Sequence, residues 1–207
     1  MRGLLHAYGF FVAVACGAVM VVVAAARPGV APLVSTAVYS ATVCALFAVS
    51  GLYHRRVWSE RGYQAMRRLD HAMIFVFIAG TYTPLCVLLL SQAKATIMLT
   101  AVWAGALGGV AMSMIWPHAS RWVSAPLYLA LGWAAVVILP DVAHVAGTAA
   151  LTMLAVGGLW YSVGAVLFAL RRPDPWPAVF GHHEVFHACT VVAATCHHIT
   201  IYLALLA

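Results

Sequence analysis

The chain has 207 residues, 65% of them hydrophobic and 8% charged, with a mean hydropathy of +0.98, whereas soluble domains run at about 45–50% apolar and 25% charged. That composition excludes a water-soluble globular enzyme and describes an integral membrane protein, read as one transmembrane domain over residues 1–207 because no polar stretch is longer than a loop. The formal charge of +6 does not make a nucleic-acid binder, because the basic residues lie in short loops without an aromatic platform; bilayer orientation and anionic headgroups account for them better.

Windows of about 19 residues define seven apolar spans, at approximately 4–26, 33–53, 71–90, 95–115, 122–140, 145–170 and 184–206. Each is near the roughly 20 residues that cross a hydrocarbon core, so the predicted fold is an all-α, seven-transmembrane helix bundle. The first span ends in Ala24, Ala25 and Ala26, which mimic a signal-peptide cleavage site. It is nevertheless far longer than the roughly 7–15 residues of a signal core, and its removal would strand an even bundle. Pro28 and Gly29 separate it from the second span, which closes with Ser50 to His54. A loop of about fifteen residues carrying five arginines then leads to the third span, which Asp70 opens. Pro117, Pro140 and the Pro173, Pro175, Pro177 series mark later joins. The fourth and sixth spans carry Gly105, Gly108, Gly109 and Gly157, Gly158, Gly164, small residues that let helix backbones approach. Trp58, Trp116, Trp122 and Trp176 fall near span ends, as interfacial anchors do. Cys16, Cys44, Cys86, Cys189 and Cys196 sit in apolar runs without CxxC spacing and read as packing residues.

Seven spans put the termini on opposite sides. Arg2, Arg55, Arg56, Arg61, Arg67, Arg68, Arg121, Arg171 and Arg172 share one side, against Arg27 and Lys94 on the other. This imbalance predicts a cytoplasmic N-terminus and an extracytoplasmic C-terminus in a multi-pass plasma-membrane protein. It also brings three ionisable clusters to the cytoplasmic leaflet: Ser50 with His54, Asp70, and His183 with His187. Ionisable groups cost about 2.5–3.5 kcal/mol each within a membrane helix and persist mainly where they pair, bind or react.

His183 and His187 are spaced i, i+4, so their side chains leave one helical face about 6 Å apart and can chelate a single ion. Adding His54 makes a three-histidine set that leaves one tetrahedral position for water, the pattern of catalytic zinc sites. Zn2+ is thus the predicted cofactor, with Asp70 holding or deprotonating the water and Ser50, one turn before His54, orienting water or substrate. Singly, a histidine pair at a helix end or an aspartate at a helix start has a structural reading, the aspartate as partner of the helix dipole. Joint placement on one leaflet favours the metal. His182 lies about 100° around the helix from His183, and His197 and His198 lie at least ten residues past His187, about 15 Å deeper. His198 and His71 are candidates to line a cavity or orient ligands, while His6, His118 and His144 are read as interfacial and are given no chemistry.

The opening RGLLH (2–6), SGLYH (50–54), LDHAMIFVFIAGTYTP (69–84), HEVFH (183–187) and CHH (196–198) together resemble the hemolysin III family, the bacterial branch of the progestin and adipoQ receptor superfamily. The resemblance implies a seven-helix bundle with zinc near the cytoplasmic leaflet, held at His54, His183 and His187, with Asp70 touching zinc-bound water. It also implies either ceramidase-like cleavage of a membrane lipid or fatty acyl substrate, in amide or ester form, or a role in membrane lipid homeostasis. The first expectation is a zinc-dependent intramembrane lipid hydrolase; a nonenzymatic sensor of membrane state with structural zinc is the alternative, and a cytolysin follows from the family name alone. Glu184 departs from the family pattern by placing a carboxylate beside the ligand pair. The long N-terminal soluble segment of the receptor relatives has no counterpart, which argues against hormone reception.

Overall fold

A computed structural model describes residues 3–177 and 179–207. Arg2, counted above among the basic residues and in the opening motif, lies outside the described residues. The elements are α1 (Leu4–Ala25), α2 (Ala31–Arg55), α3 (Glu60–Leu89), α4 (Gln92–Ile115), α5 (Arg121–Trp133), a 3-10 segment (Ala134–Ile138), α6 (Leu139–Val145), α7 (Gly147–Leu170) and α8 (His182–Leu206). Seven segments are long and apolar enough to cross a membrane, with α5, the 3-10 turn and α6 forming the fifth. The architecture is all-helical, as the composition requires.

Neighbours in sequence are neighbours in space: α1 packs on α2, α2 on α3, α3 on α4 and α7 on α8, while α8 also reaches α1 and α3. The most buried helix is α3, whose Phe75, Phe77, Ala79, Tyr82, Leu85 and Cys86 form the centre of the core with Tyr39, Val43, Leu46 and Phe47 of α2. The outer helices turn Phe11, Val22, Ile97, Leu107, Leu159 and Val166 outward. In a bilayer such a surface is solvated by acyl chains, so burial leaves the helix exterior and selects small residues where backbones meet. Gly80 shows this best, since a Cβ there would stand 2.1 Å from Thr42 Oγ1. Of the glycines read as packing sites, Gly109 faces the Phe75 ring, Gly157 faces His197 and Gly164 faces Cys189, but Gly108 and Gly158 face open space.

Two boundaries differ from the sequence expectation, and one span changes geometry along its length. The third helix begins at Glu60, eleven residues before the apolar run, because Ser59 caps it by accepting from Gly62 N at 3.3 Å and Glu60 favours the positive end of the dipole. The loop of about fifteen residues is therefore four residues, 56–59, and Arg61, Arg67 and Arg68 ride on α3. Asp70 accordingly lies well inside α3 and does not open it. Pro140 joins nothing; it occupies the first turn of α6, where a missing N–H costs no hydrogen bond. The fifth span narrows to 3-10 geometry at Ala134, and the Tyr82 hydroxyl donates to Gly132 O (2.7 Å) and Leu131 O (3.1 Å) just before it. Among the described residues all five cysteines are free thiols, Cys16 on the exterior.

Candidate metal centre

The first turn of α1, the last turn of α2 and the first turns of α8 meet at one end of the bundle. The start of α8 is fixed by Glu184, whose Oε2 accepts from Gly181 N at 2.9 Å, a carboxylate closing the N-terminal turn on itself. Glu184 is 5% exposed; the residue singled out as a departure from the family pattern thus serves the local geometry that aims His183 and His187. Next to it, Asp174 accepts from His182 N at 2.9 Å, and His182 Nδ1 lies 3.6 Å from the same carboxylate, on the side away from the pair.

Two glycines set the approach of α1. A Cβ on Gly3, whose φ is +76°, would stand 2.7 Å from His54 Cβ, and one on Gly51 would stand 3.2 Å from the Ala7 backbone. With no Cβ at either position, the start of α1 lies directly against the end of α2 that carries His54.

The sequence-predicted ligands converge. His54 Nε2 and His183 Nε2 are 3.2 Å apart, and one ligand nitrogen from each of His54, His183 and His187 lies within 4.8 Å of the others. Ring centroids are 4.7 Å (His54–His183), 5.1 Å (His54–His187) and 4.6 Å (His183–His187). Tetrahedral zinc with Zn–N near 2.0–2.1 Å would put its nitrogens about 3.3–3.4 Å apart, so this donor set fits a borderline divalent ion after small side-chain adjustments. The three imidazoles come from two helices, His54 and His183 lying 129 positions apart in sequence.

Asp70 stands outside that donor set. It interacts with Ser50 side chain to side chain, and its Oδ2 is 3.8 Å from His71 Nδ1, which in turn is 2.8 Å from Arg67 O. The Tyr128 hydroxyl donates to His71 O at 3.5 Å, and its ring lies 4.6 Å from Phe75. Of the other histidines, His198 Nδ1 is 3.4 Å from Tyr39 OH and His197 Nε2 is 3.3 Å from Leu154 O, both deeper in the bundle. His118 pairs at 3.2 Å with Arg67 on the exposed end.

One histidine is placed differently from its sequence reading. His6 is 3% exposed and stacks on His187 with centroids 3.9 Å apart and planes 11° apart, with Phe47 at 5.1 Å on its flank. It is not interfacial, because the close approach at Gly3 and Gly51 sinks the first turn of α1 between α2 and α8. The available sequence signal was sidedness: α1 starts at the end where α2 stops, so His6 shares the depth of His54.

Fold and site together define a seven-helix, multi-pass membrane protein with a three-histidine candidate metal centre at one end of the bundle. Comparison with known proteins agrees at the level of ancestry. The chain belongs to the Haemolysin-III related family, whose pattern matches residues 1–198. It is 28% identical to the Hemolysin-3 homolog of Bacillus subtilis over 187 residues, covering 88% of this chain and 83% of that protein. It is 24% identical to Hemolysin-3 of Bacillus cereus, covering 88% and 80%. More distant likeness reaches the human Monocyte to macrophage differentiation factor, 27% identical over 80% of this chain and 68% of that protein.

Proposed function

We propose that this protein is a zinc-dependent intramembrane hydrolase that cleaves the amide or ester of a fatty acyl lipid at the cytoplasmic leaflet of the plasma membrane, acting in membrane lipid homeostasis. The observation that carries the reading is the composition of the site: three neutral donors converging at His54, His183 and His187, with a carboxylate on a third helix held outside the donor set beside a serine. A closed structural site is usually completed by a fourth protein ligand; three ligands are the catalytic pattern. The eight described arginines at this end, against Arg27 and Lys94 at the other, support a cytoplasmic placement, and the bacterial relatives support the plasma membrane.

Bound zinc would supply Lewis acidity toward a lipid carbonyl and toward water. Ser50 orients the Asp70 carboxylate by hydrogen bonding; an Asp70 Oδ takes the proton from the attacking water and returns it to the leaving amine or alcohol. His71, anchored to Arg67 O and flanked by Tyr128, holds the other side of that carboxylate. Phe47, packed against His6, gives the histidines an apolar neighbour. Purified protein should release fatty acid from ceramide-like or other acyl lipids, and Asp70→Asn should keep its zinc while turnover falls roughly 100-fold or more. Equal turnover in a zinc-loaded Asp70→Asn protein removes the proposed base.

A second reading rests on the same donors coming from α2 and α8: one ion would clamp those helices, as in a nonenzymatic sensor of membrane state. That reading gains if metal-loaded wild type consumes no acyl lipid while His187→Ala loses both metal and thermal stability. A cytolytic role is suggested only by relatives' names and forms no part of the proposal.

A further inference from the structure

His6 is the unexplained group of this centre. Among the described residues neither of its buried ring nitrogens makes a hydrogen bond of good geometry, the His187 backbone offering only a marginal contact, in a side chain that is 3% exposed. An imidazole in that condition forfeits most of its hydrogen bonding to water, a cost of about 1–3 kcal/mol per group. The hydrophobic alternative, a phenylalanine packed on Phe47, would avoid the cost, so the nitrogen atoms themselves call for a function.

Sharing the metal is not the function the geometry allows. A histidine ligand binds through a lone pair in its own ring plane, and the His6 and His187 rings are nearly parallel, 11° apart with centroids at 3.9 Å. The ring-plane lone pairs of two such stacked rings run side by side and do not converge on one point, and the donor set formed by His54, His183 and His187 does not include His6. What remains is a hydrogen-bonding edge lying alongside the ligands, held by the stack on His187 and by the tilted contact with Phe47. A neutral imidazole offers one N–H. An oxygen acceptor entering the centre is the complement of that edge.

We propose that His6 donates its ring N–H to the acyl oxygen of the lipid, carbonyl in the substrate and carboxylate in the fatty acid product, so that α1 supplies a substrate-binding residue to a metal centre built by α2 and α8. This rests on the acyl-lipid reading above and adds to it the group that grips the acyl head. The separation of roles is physical: three imidazoles face the ion and the fourth faces the ligand's oxygen. Gly3 and Gly51 matter to it because they let the α1 backbone come close enough for His6 to reach the stack.

The test uses the full chain in lipid nanodiscs with Co2+ in place of zinc, so that the visible ligand-field bands report the centre without turnover. Dodecanoate is titrated into wild type, His6→Phe and His6→Gln, with dodecanol as the chain-matched control. Phe keeps the stack and the volume; Gln restores an amide donor. All three proteins should hold one cobalt per chain. The dodecanoate concentration at half-response should rise about tenfold or more in His6→Phe, as expected for losing a hydrogen bond to a charged group, and recover in part in His6→Gln. His6→Ala replaces the Phe variant if the larger ring prevents folding, and the same rise is expected. An unchanged half-response in the donor-less variant, or loss of its cobalt, overturns the assignment and leaves the hydrolase reading standing. Wild type that takes up no cobalt, or takes it up without responding to dodecanoate, removes the hydrolase reading and the assignment with it.

Discussion

Replacing Gly3 by alanine tests how α1 seats the centre. The added Cβ would stand 2.7 Å from His54 Cβ, where carbon atoms prefer about 3.5–4.0 Å, so the root of His54 must retreat by roughly 1 Å. His54 Nε2 is 3.2 Å from His183 Nε2, and metal–ligand bond lengths hold to within about 0.2 Å, so a root displaced that far must be compensated by strained rotation of the ring. Metal affinity should therefore fall at least tenfold, about 1.4 kcal/mol. The backbone adds a separate cost, since Gly3 has φ +76° and an L residue there loses about 1–2 kcal/mol. Gly29→Ala separates the two effects: Gly29 has φ +82° but nothing within 4 Å of its Cβ position. Both variants should unfold earlier in detergent, and only Gly3→Ala should lose zinc to a chromophoric chelator at lower competitor concentration. If Gly3→Ala holds zinc within about twofold of Gly29→Ala, by the same affinity arithmetic, the contact with His54 does not position the ligand and the reasoning fails.

Gly108 and Gly109 should respond oppositely to alanine: at Gly109 a Cβ meets the Phe75 ring at 2.3 Å, while at Gly108 it meets nothing within 4 Å. Gly109→Ala should destabilise by about 1–3 kcal/mol and Gly108→Ala should be neutral or stabilising by up to about 1 kcal/mol, read from thermal melts in one detergent; equal melts would refute the packing assignment. At the far end Lys94 pairs with Asp141, the two side chains 35% and 26% exposed. Asp141→Asn should cost no more than about 1 kcal/mol, shrink with added salt and leave zinc content unchanged. A larger loss, insensitive to salt, would mean that the pair organises the fifth span.

The seven spans were legible because hydrocarbon thickness imposes a length that no soluble fold shares, and the convergence of the three histidines because i, i+4 spacing and sidedness are both one-dimensional properties. The start of α3 was not legible. Hydropathy reports where a helix leaves lipid, not where it stops being a helix, and Arg61, Gln64, Ala65, Met66, Arg67 and Arg68 are good helix formers that extend it through polar surroundings. Pro140 misled for a related reason, since proline breaks a helix interior yet suits its first turn. His6 escaped because its neighbour is His187, and stacking between residues so distant in sequence depends on how closely two glycines let α1 approach α2.

The length of α3 carries a further consequence. Its 30 residues make a rod of about 45 Å at 1.5 Å per residue, half as long again as a hydrocarbon slab of about 30 Å. Counted back from Leu89, that slab is used up at about Asp70. In a bilayer spanned from Leu89 the carboxylate would stand at the waterline, and the ten residues beyond it, which carry Arg61, Arg67 and Arg68, would reach the phosphates. For the hydrolase proposed above, a lipid whose scissile bond lies just below its headgroup would reach that depth without leaving its leaflet.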